Sequence, residues 1–200
     1  MIVAMQSVAM TDEPVYVEPM TPHALMSADE LRHLNLPGKR TELVRGVLVV
    51  REPAGARHGR IAADVAWRLR THVERTDSGD VYAAETGFTL TRDPDTVRAP
   101  DVAFVRKERL PAPEPSGFPD FAPDLAVEVL SPGDRPGELL SKVADWLTAG
   151  TRLVWVIDPE RRIARVFRAD GSEATIPQGQ ALDGEDVIPG FVLELDPLFR

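Results

Sequence analysis

Two hundred residues of ordinary composition, 43% hydrophobic and 28% charged, suffice to bury a core without covalent staples. The absence of cysteine excludes disulfides, zinc–thiolate sites and thiol nucleophiles. A net charge of −9 argues against a general nucleic-acid coat protein, which would carry a basic footprint, but leaves room for a local basic groove.

Residues 1–20 carry no sustained periodicity and include two prolines, which reads as an N-terminal arm or tail ahead of one domain over 21–200. Met1-Ile2-Val3-Ala4-Met5 lacks the basic start of a secretory signal. No apolar run approaches the ~20 residues of a membrane span. The expectation is a cytoplasmic protein with no membrane partner. Ser27-Ala28-Asp29-Glu30 matches a capping box and predicts a short helix through Leu31 and Leu34, ended by Leu36-Pro37-Gly38. Residues 41–50 are rich in branched side chains and broken by Arg45-Gly46, which predicts a hairpin or a bulged strand. From His58 to about Arg75, Ile61, Ala62, Val65, Ala66, Leu69 and Val73 recur at helical spacing. Arg57, Arg60, Arg68 and Arg70 fall close enough together to line a basic groove, although a solvated helix face explains each one as well.

A turn at 77–80 leads into a predicted strand over 81–90, and Arg92-Asp93-Pro94-Asp95 turns the chain back towards a strand at 101–105. Five prolines over 107–123 make an exposed loop. A buried strand follows at 125–130, then a helix from about Pro136 to Ala149 with Gly150 as its cap. The continuous apolar run 153–157 reads as a strand covered on both faces, and short strands complete the chain, with a turn at Asp183-Gly184.

Two acids stand out against this background. Glu128 interrupts the apolar run Ala126-Val127-Glu128-Val129-Leu130, where an ionised carboxylate is costly unless a cation or metal compensates it. Asp101 follows Pro100 and opens Val102-Ala103-Phe104-Val105. Strand alternation puts Glu128 on one face with Ala126 and Leu130, and Asp101 on one face with Ala103 and Val105. If the strands are neighbours, the two carboxylates converge on one hard cation with oxygen ligands, typically Mg²⁺. Such an ion polarises a phosphoryl oxygen and generates a nucleophile from water, the chemistry of a metal-dependent phosphodiesterase. Taken singly, Asp101 could simply begin a strand, and Glu128 could be half of a structural ion pair.

With Glu42-Leu43-Val44-Arg45-Gly46, His58, Pro100-Asp101, Glu128-Val129-Leu130-Ser131-Pro132, Lys142 and Trp155-Val156-Ile157-Asp158-Pro159 in this order, residues 21–199 resemble the Uma-two family of "putative restriction endonucleases", a branch of the PD-(D/E)XK nuclease superfamily. The resemblance implies an α/β (α+β) fold: a restriction-endonuclease-like core, a mixed sheet flanked by helices. It implies Asp101 and Glu128 as metal ligands for Mg²⁺ or Mn²⁺, and Glu42 as a third ligand or water-positioning base. His58 matches the histidine opening the family helix, with a solvent-facing helix terminus as its alternative. Leu130 stands where the superfamily places its lysine, and Lys142 on the following helix is the substitute, with an ordinary surface lysine as the alternative. Glu85 is a weaker candidate for the same cluster.

Two readings follow. The first is a metal-dependent DNA endonuclease, expected as a homodimer because a duplex has two strands to cut, with the arm around Tyr16 and Val17 a candidate for exchange between partners. The second is a nuclease-fold module that binds or regulates without cleaving, favoured by the acidic charge and by Leu130. A glycosidase with two carboxylates would want aromatic sugar platforms, and 6% aromatic residues give that little support.

Overall fold

One antiparallel pairing, of the strand that follows Asp101 with the strand that carries Glu128, brings the two acids together. The computed structural model describes residues 15–17, 25–83 and 86–200. In the first sheet the strands run β1 (Val15–Val17), β3 (Val47–Arg51), β2 (Arg40–Val44), β6 (Thr96–Arg98) and β5 (Phe88–Thr91), each antiparallel to the next. Arg45 and Gly46 both have positive φ, 49° and 78°, so β2 and β3 close as a two-residue hairpin rather than one bulged strand. β1 pairs with β3 of its own chain, so this part of the arm is a strand of the sheet; the rest of residues 1–20 lies outside the described residues.

The second sheet runs β11 (Glu173–Pro177), β10 (Ile163–Arg168), β9 (Leu153–Asp158), β8 (Leu125–Val129), β7 (Val102–Arg106) and β4 (Gly79–Ala83). β8 and β9 are parallel and the other pairs antiparallel, which makes the sheet mixed. Helix α3 (Pro136–Thr148) connects the parallel pair, as a crossover must. The expected strand over 81–90 is two strands in different sheets: β4 pairs with β7, while β5 pairs with β6. Glu85, Thr86 and Gly87 interrupt the run, but the sheet that each half joins is set by its partner strand, β7 or β6.

Both faces of the second sheet are covered, so every residue of β8 and β9 is buried. On one face, helix α2 (Ala56–Thr76) lays Ile61, Val65, Leu69 and Val73 against Val102, Phe104, Leu125 and Val127. On the other, Val143 and Trp146 of α3 pack with Ala103, Val105, Ala126 and Phe88. Helix α1 (Ala28–His33) starts at Ser27, whose hydroxyl accepts from the Glu30 N–H while Glu30 reaches back to the Ser27 N–H. A third sheet pairs β12 (Ala181–Asp183) with β13 (Val192–Glu194). No helix among the described residues is long and apolar enough to cross a membrane.

Candidate active site

Alternation along β8 aims Glu128 at α3, on the face that also carries Ala126. Its partners come from one helical stripe: Lys142 and Trp146 stand four residues apart on α3. The Trp146 indole N–H donates to Glu128 Oε1 at 3.0 Å and the Lys142 ammonium to Oε2 at 2.8 Å. Lys142 is therefore no surface lysine. Its Nζ also donates to the Ala99 carbonyl at 3.0 Å and lies 3.0 Å from Glu42 Oε1.

Glu42 reaches this point from β2 because Leu43 pairs with Val97, which brings Arg98 and Ala99 alongside it. Glu42 Oε1 accepts from the Ala99 N–H at 2.9 Å and Oε2 from Arg98 Nη1 at 3.0 Å. Arg98 in turn binds Asp145 of α3 at 2.6 Å. The result is a buried chain of alternating charge, Asp145–Arg98–Glu42–Lys142–Glu128.

Asp101 enters from the start of β7. Its backbone N–H donates to the Val127 carbonyl and its Oδ2 accepts from the Val129 N–H at 2.7 Å, so the residue straddles Glu128 on the neighbouring strand. His58, in the first turn of α2, is 92% buried rather than solvent-facing. Its Nε2 lies 3.0 Å from Asp101 Oδ2, and its buried Nδ1 has no protein partner among the described residues. Arg40 approaches Asp101 Oδ1 at 3.8 Å.

Burial is the largest influence on Glu128 and raises its pKa; Lys142 lowers it, Asp101 and Glu42 raise it again, and the acid is pushed up to about 7. Burial acts on Glu42 in the same direction, but Lys142, Arg98 and the Ala99 N–H overcome it and hold Glu42 down at about 2. Burial opposes the charge on Lys142, yet Glu128, Glu42 and Asp101 together hold its ammonium above the ordinary lysine range. The side chains meet at a cleft of about 50 Å³ lined by Asp101, Glu128, Lys142, His58, Arg40 and Arg51, among others.

Among the described residues, no three His, Asp or Glu side chains are already gathered as a metal cluster. Two carboxylates nevertheless suit Mg²⁺, which is commonly held by one or two carboxylates and keeps several waters. A cavity of this size has room for a cation with a few waters. The local excess of carboxylate charge around Glu128 is of the sign that a cation relieves.

Glu42, Asp101, Glu128, His58 and Lys142 are thus brought together, whereas Glu85 lies outside the described residues. The arginine groove on α2 does not form. Arg57 bonds the Pro159 carbonyl, Arg60 the Leu198 carbonyl, Arg68 pairs with Asp64, and Arg70 with Glu74 and Asp80. Besides Lys142, the cleft is lined by Arg40 and Arg51 of the first sheet and by Arg135 just ahead of α3, none of which the sequence reading singled out. It also missed Trp146 and Arg98. The available signal for Trp146 was its i+4 spacing from Lys142.

Residues 28–196 match the Uma2 family, described as "Putative restriction endonuclease". The chain belongs to this family. Leu130 stands two residues after Glu128, and Lys142 reaches that acid from α3 instead. Comparison with solved structures finds "a putative nuclease belonging to DUF820 from Anabaena variabilis ATCC 29413" at a TM-score of 0.76 and 21% identity, covering 87% of this chain and 97% of the other. That likeness establishes a shared nuclease-type fold. A comparison with curated proteins found no match.

Proposed function

We propose that this protein is a metal-dependent DNA endonuclease, a hydrolase of phosphodiester bonds working with Mg²⁺ or Mn²⁺. The observation that carries the reading is that Asp101, Glu128 and Lys142, from β7's start, β8 and α3, line one small cleft. An ion held by Asp101 and Glu128 would polarise the phosphoryl oxygen and acidify a water. The protein's own groups supply the rest. Lys142 offers positive charge to the phosphate where the usual lysine is Leu130. Glu42 anchors the Lys142 ammonium and keeps it charged. His58 and the Val129 N–H fix the orientation of Asp101, and Trp146 does the same for Glu128.

Supercoiled plasmid incubated with the purified protein and Mg²⁺ or Mn²⁺ is expected to be nicked and linearised, while Glu128→Ala leaves it intact. A parent inert under both metals, yet still binding DNA, would move the assignment to the non-cleaving module. We also infer a homodimer, since a two-fold pair offers one site to each strand. A monomer by light scattering at micromolar concentration would remove that inference.

A further inference from the structure

A second cavity of about 250 Å³ lies next to the catalytic cleft, and the two share Arg40, Arg51, Asp101 and Lys142. A strand whose phosphate sits at Lys142 therefore continues directly into it. The walls of the second cavity divide by chemistry. Leu31 and Leu34 from α1 and its end, Val97 from β6, and Phe118 from the proline loop form an apolar side. Phe118 is seated on Gly87: a Cβ placed there would stand 2.8 Å from the ring. The absent side chain at 87 is thus what lets the aromatic ring come in against the sheet.

The other side is basic. Arg32, Lys39, Arg40, Arg51 and Lys142 line the cavity beside two acids, Glu42 and Asp101; Lys39 also pairs with Glu52, and Arg51 with Asp134 and Glu138. Arg32 is exposed and, among the described residues, forms no ion pair or hydrogen bond. An aromatic and aliphatic wall facing several cations suits a planar, weakly polar ring joined to phosphates. The volume is below the ~300–1,000 Å³ of drug-sized pockets, so it suits one ring system rather than a base pair.

We propose that this cavity takes one unpaired nucleobase of the strand being cut, its ring against Phe118 and a flanking phosphate on Arg32. The inference rests on the nuclease reading and narrows its substrate to a strand that is single, frayed or locally opened beside the scissile bond. Stacking on an aromatic wall is sequence-tolerant, because every base has a π-face.

The test measures binding of a short fluorescent oligodeoxynucleotide, single-stranded or as a blunt duplex, with Ca²⁺ in place of Mg²⁺ to hold back cleavage. The parent is expected to bind the single strand more tightly. Phe118→Leu, which keeps apolar volume against Gly87 but removes the ring, should weaken single-strand binding about tenfold and leave the duplex unchanged. Arg32→Ala changes an exposed side chain and should lower the salt dependence of single-strand binding by about one counterion. Single-strand binding by both variants equal to the parent's overturns the pocket, and parent nicking of plasmid under Mg²⁺ then leaves the nuclease reading standing. Binding of deoxyadenosine monophosphate as tight as that of the oligonucleotide overturns it in favour of a free nucleotide. Phe118-dependent single-strand binding by a parent that never nicks plasmid keeps the pocket and removes the nuclease reading instead.

Discussion

Glu128 and Asp101 lie side by side at one cleft, yet the protein treats them differently. Both oxygens of Glu128 are taken, by Trp146 and Lys142, and it is still pushed up to about 7. Asp101 has one oxygen held by the Val129 N–H and His58, while among the described residues the other meets only Arg40, at 3.8 Å. One acid is embedded in a buried charge network that remains short of positive charge. The other is oriented from behind and open in front. Hydrogen-bond satisfaction does not by itself keep a buried acid ionised: Glu128 has both oxygens bonded, yet burial and two neighbouring carboxylates still raise its pKa.

The largest expected effect comes from breaking the network at Lys142. Lys142→Met keeps the length of the side chain but leaves Glu42 and Glu128 buried without their shared ammonium. Breaking a buried pair in this way costs about 3–5 kcal/mol at neutral pH. If the shortage of positive charge is real, Mn²⁺ should restore more stability to Lys142→Met than it adds to the parent. The same variant is expected to lose plasmid cleavage. Thermal unfolding with and without Mn²⁺ reads both parts, and a loss below about 1 kcal/mol would show the network to be idle.

Much of this contrast was visible before the fold. Glu128 could be singled out because a carboxylate inside an apolar strand demands compensation, and Asp101 because it opens the next such strand after a proline. That Glu128 shares a face with Ala126, and Asp101 with Ala103 and Val105, followed from alternation alone. Arg98 was not legible, because it meets Glu42 only through the single pairing of Leu43 with Val97, across more than fifty residues of chain. Arg40 and Arg51 were hidden in the same way, since their approach to the cleft depends on how the first sheet packs against the second. The strand expected over 81–90 failed for a related reason: strand-forming composition does not report which sheet a segment joins.

A smaller and sharper test is pH. An acid with a folded pKa raised from 4.5 to about 7 binds its proton more tightly in the folded state than in the unfolded one. Its contribution is therefore fully present below pH 4.5 and is lost as pH rises towards 7, a swing on the order of 3 kcal/mol. Glu42, held at about 2, acts oppositely: its contribution is present above 4.5 and disappears as pH falls towards 2. In chelator, stability should accordingly decline between about pH 5 and 7. Glu128→Gln should flatten that decline, and Mn²⁺ should flatten it in the parent by favouring the ionised form. A parent whose decline is the same with Mn²⁺ as with chelator would separate Glu128 from any metal.

The smallest expected effect belongs to the Asp101 side. His58 touches neither the Glu128 network nor, in the proposed reaction, the phosphate; it sets the direction of one carboxylate from a buried helix start. Partners of this kind typically contribute 10–100-fold to metal affinity. Asp101 retains the Val129 N–H when the imidazole is removed, so His58→Ala should fall at the low end, with Mn²⁺ binding about tenfold weaker by calorimetry. His58→Gln offers an amide N–H in place of Nε2–H and should recover part of that loss. A merely structural role would lower thermal stability equally in both variants without moving the Mn²⁺ titration. If His58→Ala instead binds Mn²⁺ as the parent does while Lys142→Met gains affinity, metal binding is governed by the Glu128 side alone, and Asp101 is held by its strand rather than by its histidine.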